Sequence, residues 1–188
     1  TASDLITLDS GMDVYDKDYT ISIVFKRDVI GVSQGLITDV QYGWFYILIN
    51  SNNTVSARHK LSDASGGPSA TTSSTVGDTN YHNVTVSFST NTGMKIYIDG
   101  VLGGSDTNTL PFGLSGTRGP QFVGQYRGGS SSSPTAFFNG RIDSIKHFSR
   151  VLTPEEALIE YKYGLENTGM QIERNGTLFI NNQINEGS

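Results

Sequence analysis

Apolar and polar positions alternate along most of this chain, and a period of two is the signature of half-buried β-strands. In "YTISIVF" the residues Ile21, Ile23 and Phe25 share one face, with Thr20 and Ser22 on the other. "NVTVSFS" aims Val84, Val86 and Phe88 inward, and "MKIYI" places Met94, Ile96 and Ile98 on one face. "TNTG" between those runs is a turn. "GWFYILI", from Gly43 to Ile49, is apolar on both faces and predicts an interior strand. "NSNNT" then turns the chain into "VSARHKL", the second half of a hairpin.

"IYIDGVLGG" is the sharpest local signal. Asp-Gly between alternating apolar residues is the preferred two-residue hairpin turn, because both central residues need positive φ. Asp99 and Gly100 are therefore turn residues first, and a metal role for Asp99 is the weaker reading. Two stretches rich in Gly, Ser and Thr, 62–80 and 127–136, read as long surface loops, where a β-scaffold usually carries its recognition. One helix is well signalled: Thr153 caps it, Pro154 suits its first position, and Glu156 completes a Thr-x-x-Glu capping box. Ala157, Leu158 and Tyr161 are available for packing, and Gly164 is the expected stop. A short hairpin-like element around Asn175 and Gly176 follows, then a polar end. Residues 1–164 thus read as one domain and 165–188 as a connector tail. Many strands, turn-rich connections and one late helix predict an all-β sandwich of two antiparallel sheets, of jelly-roll type.

Composition narrows the possible partners. A net charge of -5 argues against nucleic acid or an anionic membrane, since both need clustered cations. No apolar run approaches the length of a membrane span. The absence of cysteine removes disulfides, thiolate nucleophiles and Cys-based zinc sites. Beginning at Thr1 rather than Met, the chain reads as a piece of something longer.

Two longer segments resemble a known family. "YHNVTVSFSTNTGMKIYIDGVLGGS" is similar to the part of laminin-G-like domains that runs aromatic-His-x-Val, strand, turn, strand, Asp-Gly. "FFNGRIDSIKHFSRVLTPEEALIEYKYG" resembles their closing signature, and "YTISIVFK" with "GLITDVQYGWFYILIN" fits the first strands. Together these cover most of Tyr19 to Gly164 in the expected order. The resemblance is to the laminin-G-like branch of the concanavalin A-like lectin/glucanase superfamily, and it implies a curved two-sheet jelly roll. Members bind glycans or proteins, or in some branches cleave polysaccharides, and fold alone does not choose among these.

The residues speak against an enzyme. The glucanase branch carries its paired carboxylates as Glu-x-Asp-x-x-Glu on one strand, as glycoside cleavage requires, and no such string occurs here. Glu155 and Glu156 are adjacent but fall in the first turn of the helix, where they serve capping and the helix dipole. His59, His82 and His147 are scattered, and His82 beside a strand start suits a structural hydrogen bond.

Binding is the better expectation. Sugar sites combine an aromatic platform with planar hydrogen-bonding side chains at a loop rim, and Tyr42, Trp44, Arg118, Tyr126, Arg127 and Asn139 supply those types. Trp44 sits in an apolar strand, which favours core packing over sugar stacking. Tyr126 and Arg127 lead from a strand directly into a flexible loop and are the stronger pair. The family likeness also implies a Ca2+ ion held by aspartates: Asp143 matches the Ile-Asp position, and Asp9 and Asp13 lie in a segment able to approach it. The competing reading of Asp143 is a hydrogen bond to backbone amides at a strand edge. The expected function is a non-catalytic carbohydrate-binding or adhesion module of a larger extracellular, cell-surface or virion protein, its partner a glycan or cell-surface polysaccharide. The alternative is a structural tail-fibre, head-fibre or decoration module that contacts other virion or cell-surface proteins, a reading drawn from the polar tail "RNGTLFINNQINEGS".

Overall fold

The alternation written in the chain becomes two antiparallel sheets stacked face to face. A computed structural model describes residues 6–8, 14, 17–39, 45–60, 66–109, 121–127, 135–166, 173–174 and 177–178. The first strands are β1 (Ile6–Leu8), β2 (Tyr19–Arg27), β3 (Gln34–Asp39), β4 (Phe45–Ile49), β5 (Thr54–His59) and β6 (Ser69–Thr75). Next come β7 (Tyr81–Ser89), β8 (Gly93–Ile98), β9 (Val101–Asp106), β10 (Gln121–Val123), β11 (Gln125–Tyr126), β12 (Ala136–Phe137) and β13 (Gly140–Phe148). Helix α1 (Pro154–Glu166) precedes the small pair β14 (Glu173–Arg174) and β15 (Thr177–Leu178). One sheet has six strands in the order β1-β10-β3-β4-β5-β6; the other has five, ordered β13-β2-β7-β8-β9.

The core lies between these sheets and follows the period of two. Ile21, Ile23 and Phe25 of β2, with Val84, Val86 and Phe88 of β7, face Phe45, Ile47 and Ile49 of β4. Each is essentially closed to solvent, and burying a side chain of this size contributes about 1.5–3 kcal/mol. The hairpin between β8 and β9 turns on Asp99 (φ 51°) and Gly100 (φ 77°), the two positive φ values its sequence demands. Gly140 opens β13 in close approach to β2, where a Cβ would lie 2.1 Å from the Lys26 carbonyl oxygen.

Asp99 has a second task. Its Oδ1 accepts the Asn83 N–H at 2.9 Å, and its Oδ2 lies 2.8 Å from Nδ1 of His82. On the opposite side of that ring, Nε2 lies 3.2 Å from Asp78 Oδ1. Burial opposes charging of the imidazole, but the bond and charge of Asp99 and the charge of Asp78 outweigh it, and the His82 pKa is raised. A raised folded-state pKa contributes stability that is complete below the unfolded value, about 6.5, and lost as pH rises through the folded value. Wild-type protein is therefore expected to lose unfolding free energy as pH rises above about 6.5, whereas His82→Gln shows no such decline. Urea midpoints across that range check this; parallel curves for the two proteins would refute it.

Helix α1 covers the outer face of the five-stranded sheet, against β2, β7 and β9. The capping box forms as its sequence requires: Thr153 N–H donates to Glu156 Oε2 at 2.8 Å, and Glu156 N–H donates to Thr153 Oγ1 at 3.2 Å. Arg150 adds two 2.7 Å bonds to the Glu156 carboxylate. The Arg150 bonds, with the Thr153 amide, hold the Glu156 pKa down to about 2. Ala157 is fully buried and Tyr161 half-buried, while Leu158 is 37 % exposed and packs against Gly100. Beneath the helix a polar network replaces apolar packing: Asn83 Nδ2 donates to Ser22 Oγ at 2.9 Å, and Thr85 Oγ1 donates to Asn83 Oδ1 at 2.9 Å.

Three local expectations change. Gly164 does not stop the helix, which runs on to Glu166. Its role is close packing, since a Cβ there would lie 2.7 Å from Val24 Cγ2. The stretch 62–80 contains a strand, β6, paired antiparallel with β5 and turning Ala70 and Thr72 inward. Small side chains gave that strand little hydrophobic contrast, so its alternation did not register as a strand. Ala136, placed in the second loop, belongs to the two-residue strand β12. The hairpin anticipated around Asn175 and Gly176 is present as the antiparallel pair β14 and β15, those two residues themselves lying outside the described set.

Candidate functional site

Alternation also decides which strand residues leave the core. Because Phe45, Ile47 and Ile49 of β4 point inward, Tyr46 and Leu48 emerge on the outer face of the six-stranded sheet, each half-buried. "GWFYILI" is thus not apolar-buried on both faces over its described part. On β5, Val55 and Ala57 point inward, so Arg58 emerges, directly opposite Tyr46. On its other side Tyr46 pairs with Thr38 of β3, and Thr38 pairs with Phe122 of β10. The row Phe122, Thr38, Tyr46, Arg58 therefore crosses three strand spacings, about 14 Å.

A second layer of chain is laid on this row. Gly124 (φ 81°) redirects the backbone after β10, and its N–H donates to the Leu36 carbonyl at 2.9 Å. β11 then passes over β3 at Gly35, where a Cβ would lie 2.1 Å from the Gln125 carbonyl carbon. Glycine is required at that crossing because the backbones nearly touch. The passage brings Tyr126 onto Tyr46, edge to face, with ring centroids 5.1 Å apart and planes at 81°. The next residue, Arg127, sets its guanidinium carbon 4.2 Å from the centre of the Phe122 ring, a cation–π contact. The result is an aromatic shelf, Tyr46, Phe122 and Tyr126, flanked by Arg58 and Arg127.

The polar groups of the shelf are poised for hydrogen bonding. Burial raises the Tyr126 pKa, Tyr46 adds to the rise, and the Arg58 charge draws it back. The phenol stays protonated at neutral pH and serves as both donor and acceptor. The Nε groups of Arg58 and of Arg127 are both buried and have no hydrogen-bond partner. The neighbouring row of the same face is rich in amide and hydroxyl groups. Asn50 Nδ2 donates to Ser56 Oγ at 2.8 Å, and Ser56 Oγ lies 2.8 Å from Thr71 Oγ1. Phe122 is buried beneath Arg127, while Tyr46, Tyr126, Arg58 and Arg127 are half-buried. Ring faces, phenols and guanidinium forks on one sheet face are the components from which sugar recognition is built.

Of the residues anticipated from sequence, the structure brings Tyr126 and Arg127 together on this face. Asn139 lies between β12 and β13 with an exposed side chain; its backbone carbonyl accepts the Asp28 N–H at 3.0 Å, and its backbone N–H donates to Gln34 Oε1 at 3.4 Å. Tyr42, Trp44, Arg118, Asp9 and Asp13 lie outside the described residues. Asp143 sits at an irregularity of β13, between Ile142 and Ser144, and is 4 % exposed. Its counter-charge is the Arg141 guanidinium. Neither carboxylate oxygen takes a hydrogen bond from a backbone amide, so the strand-edge reading is not met. Among the described residues no three His, Asp or Glu side chains gather as a metal ion would need.

Tyr46, Arg58 and Phe122 were not singled out from sequence. The signal for two of them was present: alternation in "FYILI" and "VSARH" sets Tyr46 and Arg58 opposite their core-facing neighbours. Tyr46 is concealed by the apolar run of β4, and Arg58 only acquires its place from the pairing of β5 with β4.

Comparison with known proteins agrees with this architecture. A family model described as the concanavalin A-like lectin/glucanases superfamily, of laminin G type, matches residues 1–157. Among solved structures, the CBM40 of a Ruminococcus gnavus IT-sialidase, bound to alpha2,3 sialyllactose, superposes with a TM-score of 0.62 at 15% identity, covering 76% of this chain and 82% of that one. A Bacteroides ovatus protein classed as carbohydrate-binding gives 0.63 at 12% identity, over 83% of this chain and 44% of that one. A Trypanosoma rangeli sialidase gives 0.56 at 13% identity, over 82% of this chain but only 24% of the larger enzyme. Likeness at these identities is likeness of fold. A search of curated protein sequences finds no match.

Proposed function

The chain belongs to the laminin-G-type family of the concanavalin A-like lectin/glucanases superfamily, and from that premise we propose that it is a non-catalytic carbohydrate-binding module of an extracellular or cell-surface protein. The observation that carries this reading is the shelf on the outer face of the six-stranded sheet, where Tyr126 stands edge to face on Tyr46 between two arginines. Tyrosine offers a flat apolar face to the C–H side of a sugar ring and a hydroxyl to its rim. The solved carbohydrate-binding relatives share the fold over most of this chain, which supports the same reading.

The acidic residues support a role without catalysis. Asp99 binds His82 and the Asn83 amide, Asp106 accepts the Ser69 and Asn108 amides, Glu156 caps α1, and Glu160 pairs with Lys146 at 3.0 Å. Each is engaged in holding the fold, and among the described residues no pair of carboxylates lies on the shelf.

Glycan-array binding followed by calorimetry tests the proposal. Tyr46→Ala and Tyr126→Ala are each expected to weaken binding about tenfold or more, as truncated aromatic anchors do, with a cooperative melt retained. Binding is expected to be the same with calcium and with chelator, because the described residues of the shelf include no carboxylate. Unchanged affinity in both folded variants would place the ligand elsewhere. A structural virion module is favoured by a different surface, the exposed apolar residues Val101, Leu102, Ile159 and Tyr163 on β9 and α1. That reading requires a stable oligomer and no glycan affinity, which the same calorimetry with a sedimentation run distinguishes.

A further inference from the structure

We infer that the glycan held on this shelf carries a carboxylate, gripped by Arg58 and Arg127; the inference rests on the carbohydrate-binding reading above. Two guanidinium groups flank one aromatic platform, and no acidic side chain among the described residues pairs with either. The Nε of each is buried without an acceptor. A buried N–H in that condition has lost its water without a replacement. Arg27 shows the same in the closed core, whereas Arg58 and Arg127 are only half-buried, so their guanidinium groups keep surface on which a counter-charge can act.

Three other cations of this chain are paired with acids. Arg150 meets Glu156 at 2.7 Å, Lys146 meets Glu160 at 3.0 Å, and Arg141 meets Asp143. Nor are acids scarce, with 18 Asp and Glu against 13 Lys and Arg. Of the arginines whose side chains are described, Arg58 and Arg127 are the two half-buried ones, and neither has a carboxylate among the described residues. Arg27, which also lacks one, is closed in the core and bonds the Val76 carbonyl and Asn53.

The chemistry of the two groups selects the ligand. A guanidinium fork matches the paired oxygens of a carboxylate, in direction as well as charge. Tyr46 and Tyr126 between the arginines supply ring faces and hydroxyls for the body of the sugar. Arg58 is close enough that its charge acts on the Tyr126 phenol, so acid and ring contacts fall within one site. A neutral sugar would cover the tyrosines yet leave both guanidinium groups without a counter-charge. A sugar acid satisfies both at once. Such acids reach a protein from two sources, sialic acids at chain ends and uronic acids within polysaccharides.

Calorimetry with α2,3-sialyllactose, tetragalacturonate and lactose tests the inference and separates the sources. One of the two acids is expected to bind at least about tenfold more tightly than lactose, with affinity falling as salt is raised. Arg58→Gln and Arg127→Gln are each expected to lose about 30-fold or more of acid binding, because a desolvated charge pair is broken. Their melting temperatures should stay near wild type. Arg58→Lys, which keeps the charge but not the fork, should recover only part of the affinity. Equal affinity for acid and neutral sugars would overturn the carboxylate and leave the carbohydrate-binding reading standing. Failure to bind these three and every member of a broad neutral panel would overturn that reading itself.

Discussion

Gly35→Ala is expected to destabilise the protein by about 3 kcal/mol, the upper end of overpacking, and to weaken glycan binding by about tenfold or more. A Cβ at this position would stand 2.1 Å from the Gln125 carbonyl carbon and 2.3 Å from the Tyr126 nitrogen. Both are backbone atoms, so no rotamer change relieves the clash, and β11 must lift away from β3. Lifting β11 breaks the bond from Gly124 N–H to the Leu36 carbonyl and removes Tyr126 from Tyr46. Stability and binding therefore fall together, although Gly35 itself presents nothing to a ligand. Gly66→Ala is the control: a Cβ there meets nothing within 4 Å, and its effect should stay within about 0.5 kcal/mol. Guanidinium unfolding and calorimetry on both variants check the pair. A Gly35→Ala protein with wild-type stability would mean that the crossing is not as close as described.

Phe88→Ala is the second large effect, expected to cost about 3–5 kcal/mol. Phe88 is fully buried near the C-terminal end of β7, with its ring 5.5 Å from that of Tyr19 and 4.8 Å from that of His59. Truncation removes the apolar area and leaves a cavity that strands on both sides hold open. Against a total stability of 5–15 kcal/mol for a typical domain, a loss of this size leaves a marginal protein. Leu102→Ala, on a side chain 52 % exposed, should change stability by no more than about 0.5 kcal/mol. A loss below about 1 kcal/mol for Phe88→Ala would show that the region collapses around the gap and that the two sheets are less firmly packed than their burial implies.

Much of the fold was legible because its signals are local. The Asp99-Gly100 turn, the Thr153 and Glu156 capping box and the alternation of β2, β7 and β8 each depend on residues a few positions apart. Where reading failed, the deciding contact was distant. β6 escaped because Ser, Ala and Thr fit an edge strand closely neighbouring β9, where a Cβ at Gly104 would lie 2.6 Å from the Thr71 carbonyl oxygen. Gly164 was read as a helix stop from its type, yet its role is set by Val24, on a strand far away in sequence. The candidate site divides in the same way. Tyr126 and Arg127 stood out as a pair at a strand end, while Tyr46 was absorbed into a run that looked interior.

The sequence by itself determined the class of the protein: strands with a period of two, a capped helix near the end, and no paired carboxylates of the glucanase kind. Those properties are set by backbone geometry and short-range bonding, which neighbouring residues specify between them. Only the tertiary structure decided which residues share the outer face proposed to bind the glycan. Arg58, Tyr46 and Phe122 meet through strand register across three hydrogen-bonded ladders, and Tyr126 joins them because Gly35 lets one backbone cross another. Register is a property of pairs of strands, and a crossing belongs to segments 90 residues apart, so neither can be read along one strand of text.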